Sequence, residues 1–453
     1  MKEKKYEQSF RERLCCGFAN GGLNVVTILS ATFITGYYTD SAGISAVAVG
    51  TMMLICRFLD GVSDLIMGRV IDSTHSKFGK GRAWLLRSTP FVAIGLILLL
   101  SVPSSWGEGA KLVYAYVTYI FMMVFVYTAY AIAVSVYTVR FSLNSNDRVS
   151  VQAMGTIISY VIALSISAIT IPLTAAVGWQ MTGIVYAIVM IIVSLIAVLG
   201  AKEHVGNEAE VVQEEKVPLA MAVKSLRENK FFIPQAILLL LFVMTTSVVN
   251  AMTYYYAGSV MNNLNAVGLL SVASMIPSII IAFVIPTLAN RFGKFKLCIA
   301  AFAIMGLGFL TVGLSGANLI GVLIGTVFKG IGSGLASCVF IVTADIVDYG
   351  EWKSGIRADG LISSVTSFGQ KVGTGLGSAI AVWMIGLAGY DGLAEVQSAQ
   401  TIATIKFAFS YFGVILCVVL IIIQFFINLD RTIDQVQSDL AKKNAEKSEK
   451  NIC

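Results

Sequence analysis

Long apolar runs, repeated about twelve times along the chain, constrain this sequence more than any other feature. A helix that crosses the hydrocarbon core of a bilayer needs roughly 20 predominantly apolar residues. That ruler places spans near 14–38, 42–70, 84–103, 110–138, 150–175 and 180–201, then near 230–257, 264–289, 295–316, 318–346, 359–389 and 402–428. Hydrophobic residues make up 57% of the chain and charged residues 13%, against roughly 25% charged in a soluble domain. The expected fold is an all-α membrane protein of twelve transmembrane helices. The longest polar stretch between spans, "KEHVGNEAEVVQEEKVPLAMAVKSLREN", divides the spans six and six. The expected division is therefore an N-terminal six-helix bundle over 1–201, a central loop over 202–228, a C-terminal six-helix bundle over 229–430 and a tail over 431–453.

Lysine and arginine set the orientation. Lys2, Lys4, Lys5, Arg11 and Arg13 precede the first span; Lys77, Lys80 and Arg82 follow the second; Arg140 and Arg148 follow the fourth. The central loop, "NRFGKFK" after the eighth span and "YGEWKSGIR" after the tenth are basic too, whereas Lys111 is the one clear basic residue in the alternate connections. Basic loops stay inside, so both termini are expected in the cytoplasm. The opening "MKEKKYEQSFRER" is positive, but the apolar run behind it is too long for the core of a cleaved signal and reads as a retained first span.

The two halves echo each other. "SKFGKGR" (76–82) follows the second span and "NRFGKFK" (290–296) follows the eighth. Basic loops rich in glycine are common, yet the match at equivalent topological positions points to a duplicated six-helix unit.

Several function classes lack material. The net charge of +6 is confined to connections and forms no basic face interleaved with aromatics, so nucleic acid is not expected as a partner. Seven cysteines (15, 16, 56, 298, 338, 417 and 453) show no metal or redox spacing and lie mostly in apolar runs, where packing explains them. His75 and His204 both fall in polar connections, which leaves an enzyme without a nucleophile–base pair. No cofactor and no resident metal are expected.

Charges inside the spans carry the function. A charge near mid-bilayer costs a few kcal/mol and normally faces a protein interior. In "CRFLDGVSDLIMGRV" (56–70) Asp60 and Asp64 stand one helical turn apart on one face, with Ser63 beside them and Arg57 one turn before Asp60. Two carboxylates so placed suit a small hard cation, or hold a proton through mutual repulsion and burial. Equally, they are acids at a cytoplasmic mouth neutralised by Arg57, Lys80 or Arg82. Arg57 itself reads either as a counter-charge or as a substrate contact. Lys371, in "SSVTSFGQKVGTGLG" with Ser367 one turn before it, is a lone cation amid small polar residues and an obvious partner for the two acids. Lys329 is a second buried lysine with no partner to assign, and Asn24 is an amide in the first span. "ADIVDYGEWKSGIRADG" (344–360) carries Asp348, Glu351 and Arg357, with Arg140, Asp147 and Arg148 at the matching end of the other half; the mix of signs suits a gate latch or ordinary interfacial charge.

The stretches "RFLDGVSDLIMGRVIDSTHSKFGKGRAWLL" and "ADIVDYGEWKSGIRADGLISSVTSFGQKVG" resemble the two signature regions of the glycoside–pentoside–hexuronide:cation symporters, a family of the major facilitator superfamily that includes melibiose permease and the glucuronide carriers. "VPSSWGEGAKLVYAYVTY" (102–119) is similar to the glucuronide carriers, and the likeness runs through nearly the whole chain. It implies the major facilitator fold and alternating-access transport of a sugar, glycoside or hexuronide coupled to Na⁺ or H⁺, by a monomer embedded in the lipid of the plasma membrane. Asp60 and Asp64 match the coupling-cation carboxylates, with Ser63 and Thr128 lining that site. Lys371 matches the lysine beside the cation and sugar sites, while Arg148, Asp348, Glu351 and Arg357 match the cytoplasmic gate.

Departures bear on the substrate. Asn24 stands where melibiose permease uses an aspartate for sugar hydroxyls. "YTAYAIAVSVY" (127–137) contains no acid, so Tyr130 or Ala131 takes the sugar-contacting position, and Thr156 falls where the family has an arginine. Cation coupling is expected to survive these changes; melibiose-like recognition is not. The alternatives are carriage of another solute, such as a lysolipid or organic anion, or a transport-inactive sensor on the same fold.

Overall fold

The computed structural model describes residues 7–205, 228–355, 359–430 and 432–450, and among these there is no strand. The helices are α1 Phe10–Ser41, α2 Ala46–Asp72, α3 Lys80–Leu99, α4 Glu108–Arg140, α5 Ser145–Gly200, α6 Phe232–Val260, α7 Ala266–Phe292, α8 Lys294–Ser315, α9 Leu319–Ser354, α10 Asp359–Leu387, α11 Ala399–Phe425 and α12 Ile433–Lys450. Among the described residues, 10 of these are long and apolar enough to cross a membrane. Large apolar side chains such as Leu65 (73% exposed) and Phe283 (72%) point outward, as lipid-facing residues do.

Local chemistry explains the ends. Ser9 opens α1 by accepting the Glu12 N–H at 3.2 Å, which satisfies one of the orphan donors of the first turn. Asn144 does the same for α5 through the Asn146 N–H at 2.8 Å. Helix α5 runs 56 residues, about 84 Å at the helical rise, far beyond one hydrocarbon thickness of roughly 30 Å. Gly178, with φ +80, breaks it between the two spans expected over 150–175 and 180–201.

The chain forms two compact units. The first comprises Met1–Val212, Asn250–Val272 and Ser378–Ile405; the second comprises Gln213–Val249, Ala273–Gly377 and Lys406–Cys453. The first thus gathers the ends of α6 and α10 with the helices of the first half. Thr39 Oγ1 lies 3.1 Å from the Tyr255 hydroxyl, and the Trp383 indole N–H donates to the Val47 carbonyl and to Thr51 Oγ1 at 3.2 and 3.1 Å. In the second unit, Phe302, Met305 and Phe309 of α8 and Leu238 and Phe242 of α6 centre the core. Helix α12 adds Ile433, Val436 and Leu440 from one face and is tied to α9 by the Trp352 indole donating to Asp439 Oδ2 at 3.1 Å. Backbones of α8 and α9 meet closely: a Cβ on Gly325 would stand 2.7 Å from the Gly308 carbonyl oxygen.

The two echoing loops have one construction. Gly79 (φ +93) precedes α3 and Gly293 (φ +82) precedes α8, both in backbone that strains any other residue. In the first unit Glu203, just past α5, accepts the N–H groups of Lys80 (3.0 Å) and Arg82 and lies 3.4 Å from Arg140 Nε. In the second, Asp430, just past α11, accepts the Phe295 N–H at 2.9 Å. In each case an acid just past a later helix caps a helix N-terminus, where the peptide dipoles favour negative charge.

Candidate functional site

Helix α2 presents Arg57, Asp60, Ser63 and Asp64 within two turns. Asp60 is 5% exposed, and its Oδ1 accepts Thr128 Oγ1 of α4 at 2.6 Å. Arg57 Nη1 lies 3.9 Å from the other carboxylate oxygen, so the guanidinium sits beside Asp60 at the edge of pairing distance. Ser63 donates to the Asp60 carbonyl at 3.0 Å and to Thr128 Oγ1 at 3.2 Å. Asp64 is half-buried one turn on. Thr128 reaches Asp60 from just beyond a π-helical stretch of α4, Ile120–Val126. The extra residue in such a bulge re-aims the side chains that follow it, a recurrent device at functional sites. Carboxylate and hydroxyl oxygens thereby converge inside an apolar bundle, a donor set for a hard cation. Among the described residues no group of three or more His, Cys, Asp or Glu is placed to hold a metal ion.

Asn24 of α1 is half-buried, its amide donating to the Asn20 carbonyl at 3.5 Å. One turn further, Thr27 Oγ1 lies 2.9 Å from the Tyr127 hydroxyl, which ties α1 to α4. Asn20, Asn24 and Thr27 share one helix face, a polar strip whose last member and tyrosine partner the sequence reading missed, although the i, i+4, i+7 spacing carried the signal. Tyr130, one of the two residues at the expected sugar-contacting position, lies inside the first unit. It is 0% exposed, with its hydroxyl 3.0 Å from Ser194 Oγ and donating to the Ala19 carbonyl at 3.4 Å. Its neighbour Ala131 is half-buried, and Thr156 is exposed with its hydroxyl spent on the Gln152 carbonyl.

In the second unit Lys371 is half-buried and Ser367 exposed, both on α10. Lys329 of α9 is 4% exposed, and its Nζ has no hydrogen-bond partner among the described residues. It lies 3.9 Å from the ring centre of Phe409 and 5.0 Å from that of Phe309, a cation held between two aromatic faces.

Of the expected gate, Arg148 is exposed in the first unit, Asp348 and Glu351 are half-buried on α9, and Arg357 lies outside the described residues. Beside Arg148, Asp147 is fully buried, accepting the N–H groups of Glu7 and Gln8 at 3.1 Å each and the Ser142 hydroxyl at 3.0 Å. Lys294 grips both oxygens of Asp345 at 2.7 and 2.6 Å. Burial pushes the Glu203 carboxyl above the usual carboxylate value, opposed by the Arg82 and Lys80 N–H groups and by Arg140.

Residues 15–431 match the model of the MFS/sugar transport protein family. The isoprimeverose transporter of Lactiplantibacillus pentosus is 28% identical over 451 residues, covering 96% of this chain and 92% of its own. The glucuronide carrier protein homolog of Escherichia coli K12 is 28% identical over 411 residues, covering 88% of each chain. Among solved structures, the nucleoside transporter NupG superposes with a TM-score of 0.66 at 15% identity, over 92% of this chain and 99% of its own, a likeness of fold.

Proposed function

Because the chain belongs to the MFS/sugar transport protein family, carriers that cross the plasma membrane repeatedly rather than enzymes, we propose that it is a cation-coupled symporter of a sugar or glycoside. The observation that carries this reading is the Asp60–Thr128–Ser63 cluster, with Asp64 one turn away on the same membrane helix. Holding two carboxylates in an apolar bundle carries a desolvation cost. A monovalent cation, Na⁺ or H⁺, removes that cost when it binds. The carrier reorients with cation and substrate both bound, or with neither, because a half-loaded site leaves charge uncompensated as the pathway closes.

Twelve spans follow if α5 is two crossings parted at Gly178 and α10 is one, and they group as two six-helix bundles with both termini cytoplasmic. Asp60, Asp64, Ser63 and Thr128 bind the cation. Asn24, Ser367 and Lys371 contact substrate, and Arg57 stands between the two roles. Tyr130 is left out of the contact set: its hydroxyl is consumed by Ser194 and Ala19 inside the first unit. Ala131 takes the position instead. Arg148, Asp348, Glu351 and Arg357 form the cytoplasmic gate. One relative is named an isoprimeverose transporter and another a glucuronide carrier protein homolog, which supports a sugar or sugar derivative as the substrate class.

The test is uptake of a panel of labelled sugars and glycosides into proteoliposomes, with Na⁺ and pH gradients imposed separately. One gradient is expected to drive accumulation of at least one glycoside above equilibrium. Equilibration without accumulation under both gradients overturns coupling, and absence of entry for the whole panel overturns the substrate class.

A further inference from the structure

The first unit holds a polar lock that the cation site does not use. Helix α1 ends in a π-helical turn, Tyr37–Ser41, and α6 ends in another, Tyr256–Val260. The segments "YYTDS" (37–41) and "YYAGS" (255–259) are repeats of each other with one difference in charge: Asp40 in the first stands where the second has Gly258. Asp40 Oδ1 accepts Tyr390 Oη at 2.8 Å and Thr39 Oγ1 at 2.7 Å, and the Tyr254 hydroxyl is a third donor to this carboxylate. Three hydroxyls thus converge on one acid, drawn from the ends of α1 and α6 and from the connection between α10 and α11.

Packing around the lock is close. The Tyr255 ring stands edge-on to Tyr254 (5.7 Å) and to Tyr390 (5.0 Å). A Cβ on Gly36 would meet the Tyr254 ring at 2.3 Å, and one on Gly392 would meet the Thr39 carbonyl oxygen at 2.3 Å. A cavity of 480 Å³ lined by Asp40, Tyr254, Tyr390 and Gln397 adjoins the acid, large enough and polar enough to admit water beside the hydroxyl donors. Hydrogen bonds to a charged acceptor are strong, and a polar cavity beside them offers space in which water can take over their role.

We propose that Asp40 is the pin of an outer latch: it holds the non-cytoplasmic mouth of the carrier shut through Tyr390 and Tyr254, and the cycle proceeds by exchanging those hydroxyls for water from the adjoining cavity. The inference rests on the alternating-access reading, and it concerns a positioning residue that touches neither cation nor substrate. The position of the second half that matches Asp40 is Gly258, so the acid of the latch comes from α1. The latch requires the tyrosines of α6 and of the α10–α11 connection to come to α1.

The test is a distance distribution between spin labels at Ser104→Cys and Gln400→Cys, both exposed, in purified full-length protein in nanodiscs with Cys15 and Cys453 replaced by alanine. Asp40→Ala and Tyr390→Phe are expected to raise the ratio of long to short separations about 5- to 30-fold, the shift that one or two kcal/mol produces. Asp40→Asn, which keeps an acceptor without charge, falls between. Tyr390→Phe keeps the ring and its packing, so it remains informative if Asp40→Ala does not fold. Folded variants with an unchanged distribution, whatever their thermal stability, overturn the latch. The measurement needs no substrate, so failure of the sugar-symport reading shows in uptake and not here.

Discussion

Thr128 donates to Asp60 at 2.6 Å across two helices, so the hydroxyl that completes the acid's surroundings comes from α4. Thr128→Val keeps the shape and removes the donor. A hydrogen bond to a charged group is worth about 1.5–3 kcal/mol. The concentration of coupling cation giving half-maximal uptake is therefore expected to rise about tenfold or more, with maximal rate less affected. Cation titration of initial uptake rates measures it.

Lys329 has no hydrogen-bond partner among the described residues and rests between Phe409 and Phe309. Cation–π contact returns about 2 kcal/mol when desolvated, less than the cost of burying an unpaired ammonium. Lys329→Met is expected to raise the thermal midpoint in detergent by a few degrees. A fall in the midpoint would mean that the charge stabilises the second unit through groups beyond these rings.

Glu203 supplies the pH test. Its folded-state value is raised by burial, so the native state holds this proton more tightly than the unfolded chain. Its contribution to stability is fully present below the unfolded value and is lost as pH rises through the folded one. Thermal stability is expected to gain from this group as pH falls from neutral toward the ordinary glutamate value. Glu203→Gln should flatten that part of the profile while keeping an acceptor for the Lys80 and Arg82 N–H groups. A profile unchanged by the substitution would contradict the assignment.

Much of this architecture was legible because lipid permits few solutions. Apolar runs located the helices, and the matching loops marked the two equivalent places where Gly79 and Gly293 stand; the acids that cap the helices there, Glu203 and Asp430, come from far along the chain and have no local signal. Helical spacing puts Asp60, Ser63 and Asp64 on one face and leaves a cation site and a cytoplasmic-mouth pair equally open; the family resemblance favours the first. Thr128 needed a family resemblance, since no local pattern shows which hydroxyl of α4 a π-helical stretch will turn toward α2. The family resemblance puts Tyr130 or Ala131 at the sugar-contacting position; the hydrogen bond of Tyr130 to Ser194, 64 positions away, has no signal in the local pattern. Asp40 was invisible for the same reason, as its tyrosine donor lies 350 residues along the chain. Long-range partners, rather than residue types, are what the local pattern leaves out.

Gradient-driven accumulation in the single variants Asp60→Cys and Asp64→Cys tests the central claim most directly, measured in proteoliposomes against wild-type protein reconstituted at equal density. Both variants are expected to lose uphill uptake, because under the proposed mechanism either change removes an oxygen ligand and one of the charges that the cation neutralises. Accumulation persisting in both would contradict cation coupling at this pair.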